Sequence, residues 1–114
     1  MDIEIINYYW GVFDSIHDAN SADAEENFIF TGDEIPTSVL ESFEEERIDE
    51  FEGEYGMPGI GEPEQVDVLT VTAIGSTKII RVYNRAIMLF KTNDEAMKRL
   101  HRFLCVVQKA GQNS

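Results

Sequence analysis

A single cysteine, Cys105, leaves this chain no intrachain disulfide and no cysteine-based zinc site. Neither His17 nor His101 stands at a spacing that would supply the missing ligands, and with one cysteine a disulfide-stapled secreted scaffold is excluded. Hydrophobic runs are also short, well under the roughly 20 apolar residues a membrane-spanning helix needs. Met1 is followed by acidic residues instead of a basic segment and an apolar core, so the expectation is a cytoplasmic protein with no membrane attachment. Scarcest of all is positive charge in the first 67 residues, where Arg47 is the one base against 20 acids.

What is present suffices for a core. Of the 114 residues 43% are hydrophobic and 11% aromatic, so the net charge of −13 does not by itself imply disorder. At 13.0 kDa the chain has room for one domain. Its charge is segregated: residues 1–67 carry a net −19, whereas residues 68–114 set Asp94 and Glu95 against eight bases, a net +6. The expected organisation is an acidic part over 1–67, a meander plus a basic C-terminal helix over 68–110, and a frayed tail from Gly111 to Ser114.

Local patterning predicts an α+β fold, an antiparallel sheet of four to five strands with two to three helices packed on it. Ile3–Phe13 is rich in β-branched and aromatic residues at both parities, as in a strand covered on both faces. Ser15 and Asp18 form a capping-box variant that predicts a short helix from Ile16 to about Glu26, followed by a strand over Asn27–Thr31. Ser38 and Glu41 predict a second cap, opening an amphipathic helix that runs to about Glu52. Four glycines and two prolines make residues 53–64 a loop. From Val66 alternation predicts a meander: VDVLTVTA, a turn at Gly75-Ser76, TKIIRVY, a turn at Asn84-Arg85, and AIMLF as a last strand. Thr92 to Glu95 then caps a final helix whose buried stripe is Ala96, Leu100, Phe103, Leu104 and Val107.

The densest acidic stretch, Glu41, Glu44, Glu45, Glu46, Asp49, Glu50, Glu52 and Glu54, is the candidate partner-binding surface. On one continuous helix Glu41, Glu45, Asp49 and Glu52 would form a ridge, and carboxylates spaced about 5–6 Å apart present a row of charge like a phosphate strand. The same charge disfavours nucleic acid as a direct ligand. The alternative is a solvated helix face that keeps a small protein soluble. The basic residues of the second half are expected to neutralise the acidic half or to form a homodimer contact, with Lys98, Arg102 and Lys109 on one helix face and Arg81 and Arg85 on one strand face. Tyr8 and Trp10 are either core or, with Arg81, Arg85 and Arg102, a secondary interface.

Chemistry-bearing motifs are missing. Gly56–Gly61 (GMPGIG) has no following Lys-Ser/Thr and is no phosphate loop. The Asp18–Asp23 segment lacks the ligands and glycine of a calcium loop. Cys105 and His101 stand at i, i+4, but Cys105 among Leu104, Val106 and Val107 is expected in the core. No cofactor, metal or catalytic residue is therefore assigned, and the protein is expected not to be an enzyme.

In composition this short, strongly acidic α+β chain resembles the small inhibitors encoded by phages and mobile elements, including DNA mimics that occupy the nucleic-acid groove of a restriction or CRISPR effector. It also resembles immunity proteins that neutralise a basic toxin. The resemblance implies an acidic binder that engages the basic, nucleic-acid-binding surface of a partner protein. The alternative from another class is an assembly protein that oligomerises through its charge asymmetry.

Overall fold

A computed structural model of the chain describes residues 2–113. Five strands and three helices follow one another as β1 (Ile3–Phe13), β2 (Glu26–Thr31), α1 (Thr37–Glu45), β3 (Gly53–Gly56), β4 (Glu64–Ala73), β5 (Ser76–Tyr83), α2 (Arg85–Lys91) and α3 (Glu95–Gln112). The strands form one sheet in the order β2-β1-β4-β5-β3, antiparallel except for the β3–β5 pair. The fold is thus α+β with a mixed, mostly antiparallel sheet.

Strand register decides which residues meet the helices. Phe28, Tyr8, Leu69 and Ile80 lie side by side across β2, β1, β4 and β5, as do Phe30, Ile6 and Val71, and these side chains pack into the main core. Helices α1 and α3 close it with Val39, Phe43, Leu100, Phe103, Leu104 and Val107, and the Phe43 and Phe103 rings meet edge to face at 5.8 Å. The opposite sheet face is covered at one end only, where Phe13, Val66, Val68 and Tyr83 pack with Ile16 and Ala19. Farther along, Ile29 and Ile79 remain exposed.

Several expectations are corrected. The helix expected over Ile16 to Glu26 is one turn of 3-10 helix, Ile16–Asp18. Ser15 does cap it, but the Asn20 side chain then binds the Asp18 carbonyl, the Asp23 amide and the Asp23 carboxylate, so the backbone turns instead of continuing as helix. AIMLF is not a strand but most of α2. Asn84, at φ +55°, breaks β5, and the chain resumes in residues that are largely good helix formers. The 53–64 loop conceals β3, whose flanking Gly53 and Gly56 have positive φ; a Cβ at Gly56 would sit 2.1 Å from the Tyr83 carbonyl oxygen, so only glycine lets this strand approach β5. The tail is not frayed at Gly111 either, since α3 runs to Gln112 and buried Gly111 sits on the Phe28 ring. Ser114 lies outside the described residues.

Candidate functional site

The acidic helix is shorter than its sequence suggests. Helix α1 ends at Glu45, Arg47 takes the left-handed conformation at φ +51°, and Ile48–Glu50 forms a 3-10 turn. No side chain caps its start, so the Ser38–Glu41 box does not form. The ridge Glu41, Glu45, Asp49 and Glu52 is consequently split: the first two stand on the helix, Asp49 on the turn, and Glu52 on the extended chain leading to β3.

Why the helix stops there is visible in α3. Arg99 donates through Nε to the Glu46 carbonyl at 2.7 Å and through Nη2 to the Arg47 carbonyl at 3.0 Å, satisfying groups that a helix end leaves free. The same guanidinium pairs with Glu50 at 3.0 Å and lies 4.7 Å from the centre of the Phe51 ring. Arg102 forks onto Glu46, with bonds of 2.9 and 2.8 Å, and reaches Glu95 at 3.2 Å. Arg102 thereby holds the Glu46 carboxyl below its ordinary value. Lys78 donates to the Asp49 carbonyl. Three of the eight bases in the second half are therefore used to fasten the acidic turn to the body.

That leaves the outward carboxylates. Glu41, Glu44, Glu45, Asp49 and Glu52 are exposed, and none of them forms an ion pair among the described residues. Glu46 and Glu50 are engaged internally, and Glu54 accepts a 2.6 Å hydrogen bond from the Tyr83 hydroxyl. Burial and this bond push the Tyr83 phenol up to about 12. The eight-residue acidic stretch thus divides into five carboxylates facing solvent without a cation and three with partners on the protein.

The other sequence candidates are distributed differently. Tyr8 is fully buried, and its hydroxyl donates to Asp67, which is 1% exposed. Arg85 is also buried, and its Nε lies 3.2 Å from Asp67 Oδ2, an oxygen with no hydrogen bond among the described residues. Burial pushes the Asp67 carboxyl above its ordinary value, with Arg85 the main force against it. Tyr8 and Arg85 therefore belong to an internal network across β1, β4 and α2 and present no surface to a partner. Trp10 is half-buried, its indole donating to Glu26 at 2.7 Å. Arg81 is exposed on β5 and shares no face with Arg85, because β5 ends at Tyr83. Of the three bases expected along one face of α3, Arg102 is paired, Lys98 bonds Asn93, and Lys109 is exposed.

Cys105 is exposed, contrary to expectation, because each step along a helix turns about 100° and carries it away from the buried Leu104. Its Sγ lies 3.5 Å from His101 Nε2, while Arg85 Nη1 lies 3.3 Å from His101 Nδ1. A guanidinium can only donate, so Nδ1 accepts and the neutral ring carries its proton on Nε2, toward the sulfur. Desolvation, and then Arg85, hold His101 below its ordinary pKa. In this arrangement His101 cannot accept the thiol proton through Nε2, which is what a cysteine nucleophile would require.

Glycine amides in the 57–63 segment are turned inward. Gly59 donates to both Glu64 carboxylate oxygens at 2.9 and 3.0 Å, Gly61 adds a third bond at 3.3 Å, and the Asn84 amide holds both Glu64 and the Met57 carbonyl. These bonds, led by that of Gly59, hold Glu64 below its ordinary value. A loop whose amides already grip an internal carboxylate does not offer them to a phosphate. Among the described residues no group of three or more His, Cys, Asp or Glu side chains is placed to hold a metal ion, and no helix is long and apolar enough to cross a membrane.

Comparison with protein-family models, with curated proteins and with solved structures gave no match. The class is defined by the fold itself: a helix-backed, five-stranded mixed sheet with an acidic helix-turn on one flank.

Proposed function

We propose that this protein is a non-enzymatic binder whose acidic helix-turn engages the basic, nucleic-acid-binding surface of a partner protein, in the manner of a DNA mimic. One observation carries the proposal. The arginines that could have neutralised the outward face are spent on Glu46, Glu50 and Glu95, while Glu41, Glu44, Glu45, Asp49 and Glu52 stay exposed and uncompensated. Self-repulsion among them is a standing cost that lysines on the same helix would relieve, and a basic groove converts that cost into steering and affinity. A phage-type inhibitor of a restriction enzyme or CRISPR effector in the cytoplasm, or an immunity protein against a basic toxin, would use this surface in the same way.

The test is capture from host lysate at low salt, with and without duplex DNA. Capture of a nucleic-acid-binding protein that DNA competes away, and that weakens steeply with salt, is the expected result. Association indifferent to both would remove the surface from consideration.

A second reading is favoured by a different observation. Phe90 on α2 is 95% exposed, and Ile29 and Ile79 stand uncovered on the sheet. Such apolar surface suits self-association, which sedimentation of the wild type against Phe90→Ser would reveal as a concentration-dependent dimer lost in the variant.

A further inference from the structure

A groove of about 310 Å³ opens beside the acidic turn, lined by Ile3 from β1, Leu40, Phe43 and Glu44 from α1, and Asp49 from the turn. Of the described residues that line it three are apolar, and the other two are carboxylates that form no ion pair among the described residues. Leu40, Phe43 and Glu44 fall at i, i+3 and i+4, so one face of α1 supplies both floor and charge. The volume stands at the bottom of the range of about 300–1,000 Å³ in which small-molecule pockets fall, and so suits one long side chain better than a cofactor.

The protein itself shows what such a combination accepts. On the same acidic turn, an aromatic ring and a carboxylate hold the Arg99 guanidinium, with Phe51 beneath it and Glu50 at 3.0 Å. The groove repeats these ingredients with Phe43 for Phe51 and with Glu44 and Asp49 for Glu50, but among the described residues no cation pairs with these carboxylates. We propose that the groove is an arginine receptor, which takes one arginine side chain of a basic protein partner with its stem against Ile3, Leu40 and Phe43 and its guanidinium toward Glu44 and Asp49. Arginine fits better than lysine because its planar, weakly hydrated cation tolerates an apolar floor and can meet carboxylates with several donors at once. The proposal deepens the partner-binding reading above and rests on it, turning a diffuse acidic surface into one with a defined anchor point.

The experiment is a nuclear magnetic resonance titration of the whole chain with blocked arginine amide, blocked lysine amide and blocked citrulline amide, followed at the Leu40 and Ile3 methyl groups. Saturable shifts at both methyls with arginine, weaker with lysine and absent with uncharged citrulline, are expected. Binding should fall about tenfold in Glu44→Gln/Asp49→Asn and stay unchanged in Glu25→Gln/Glu62→Gln, which lie outside the acidic helix-turn. All four substituted residues are exposed and form no ion pair among the described residues, so folding is not at stake. Shifts spread evenly over the acidic residues, or methyl shifts equal for citrulline, would overturn the groove as a receptor. The DNA-competed capture described above, run on the same Glu44→Gln/Asp49→Asn variant, separates the two levels. Capture as strong as that of the wild type would overturn the groove alone, whereas no DNA-competed capture by wild type, with arginine still seated, would overturn the partner reading alone.

Discussion

Two sets of acidic side chains behave in opposite ways. Glu46, Glu50 and Glu95 are met by Arg99 and Arg102, and Asp67 is met deep inside by Arg85. Glu41, Glu44, Glu45, Asp49 and Glu52 are met by no cation among the described residues. Net charge alone does not separate these sets. Where the body needed the acidic segment fastened, arginines were placed with forked geometry; where the surface faces outward, none was. The first set therefore holds the fold together, and the second is free to serve a partner.

The buried Asp67–Arg85 pair is the most sensitive to substitution. Arg85→Met leaves Asp67 buried without its cation and should cost about 3–5 kcal/mol of unfolding free energy in urea denaturation. Replacing the whole group, as Tyr8→Phe with Asp67→Leu and Arg85→Met, should recover most of that loss, because no uncompensated charge is then left in the core. Recovery would identify the network as a device of specificity more than of stability.

Next in size is Arg99→Met, which uncaps the end of α1 and removes the pair with Glu50. A loss of about 2–3 kcal/mol is expected, given charged hydrogen bonds worth about 1.5–3 kcal/mol each. Arg99→Lys should restore little of it, since a point charge cannot cap two carbonyls and pair Glu50 together.

A smaller effect sharpens the same contrast by pH. Arg102 depresses Glu46, so this carboxylate's contribution is present above the unfolded glutamate value of about 4.3 and is lost as pH falls through the lower folded value. The difference in urea midpoint between wild type and Arg102→Gln should accordingly be full near neutrality and shrink below about pH 4. The smallest effect belongs to the second set. Glu41→Gln, Glu44→Gln and Glu45→Gln should each leave stability within about 0.5 kcal/mol, or raise it slightly by relieving repulsion.

Much of this architecture was legible in the residues. Ile3–Phe13 forms β1 as expected, the hairpin of β4 and β5 follows from alternation, and four of the five positions in the expected α3 stripe are fully buried. Two of the misses share a physical cause: a local signal was outweighed by a contact distant in sequence. Gly53 and Gly56 read as loop because glycine usually marks turns, yet at Gly56 the missing Cβ admits β5. The acidic helix looked continuous to Glu52 because its apolar period persists, but Arg99, 52 residues beyond Arg47, supplies the partner that ends it. Within the acidic stretch, sequence could locate the charge but not divide it, because the division is made by α3. The signal that could have exposed it was the pair Arg99 and Arg102 one turn apart on a helix whose buried stripe faces α1.

The most direct measurement of the central claim is partner capture by a variant in which Glu41, Glu44, Glu45 and Glu52 become Gln and Asp49 becomes Asn, with its urea midpoint measured in parallel. An unchanged or slightly raised midpoint together with loss of the DNA-competed partner is expected. An unchanged midpoint with undiminished capture would contradict it and would move the interface to Phe90 and the uncovered sheet face.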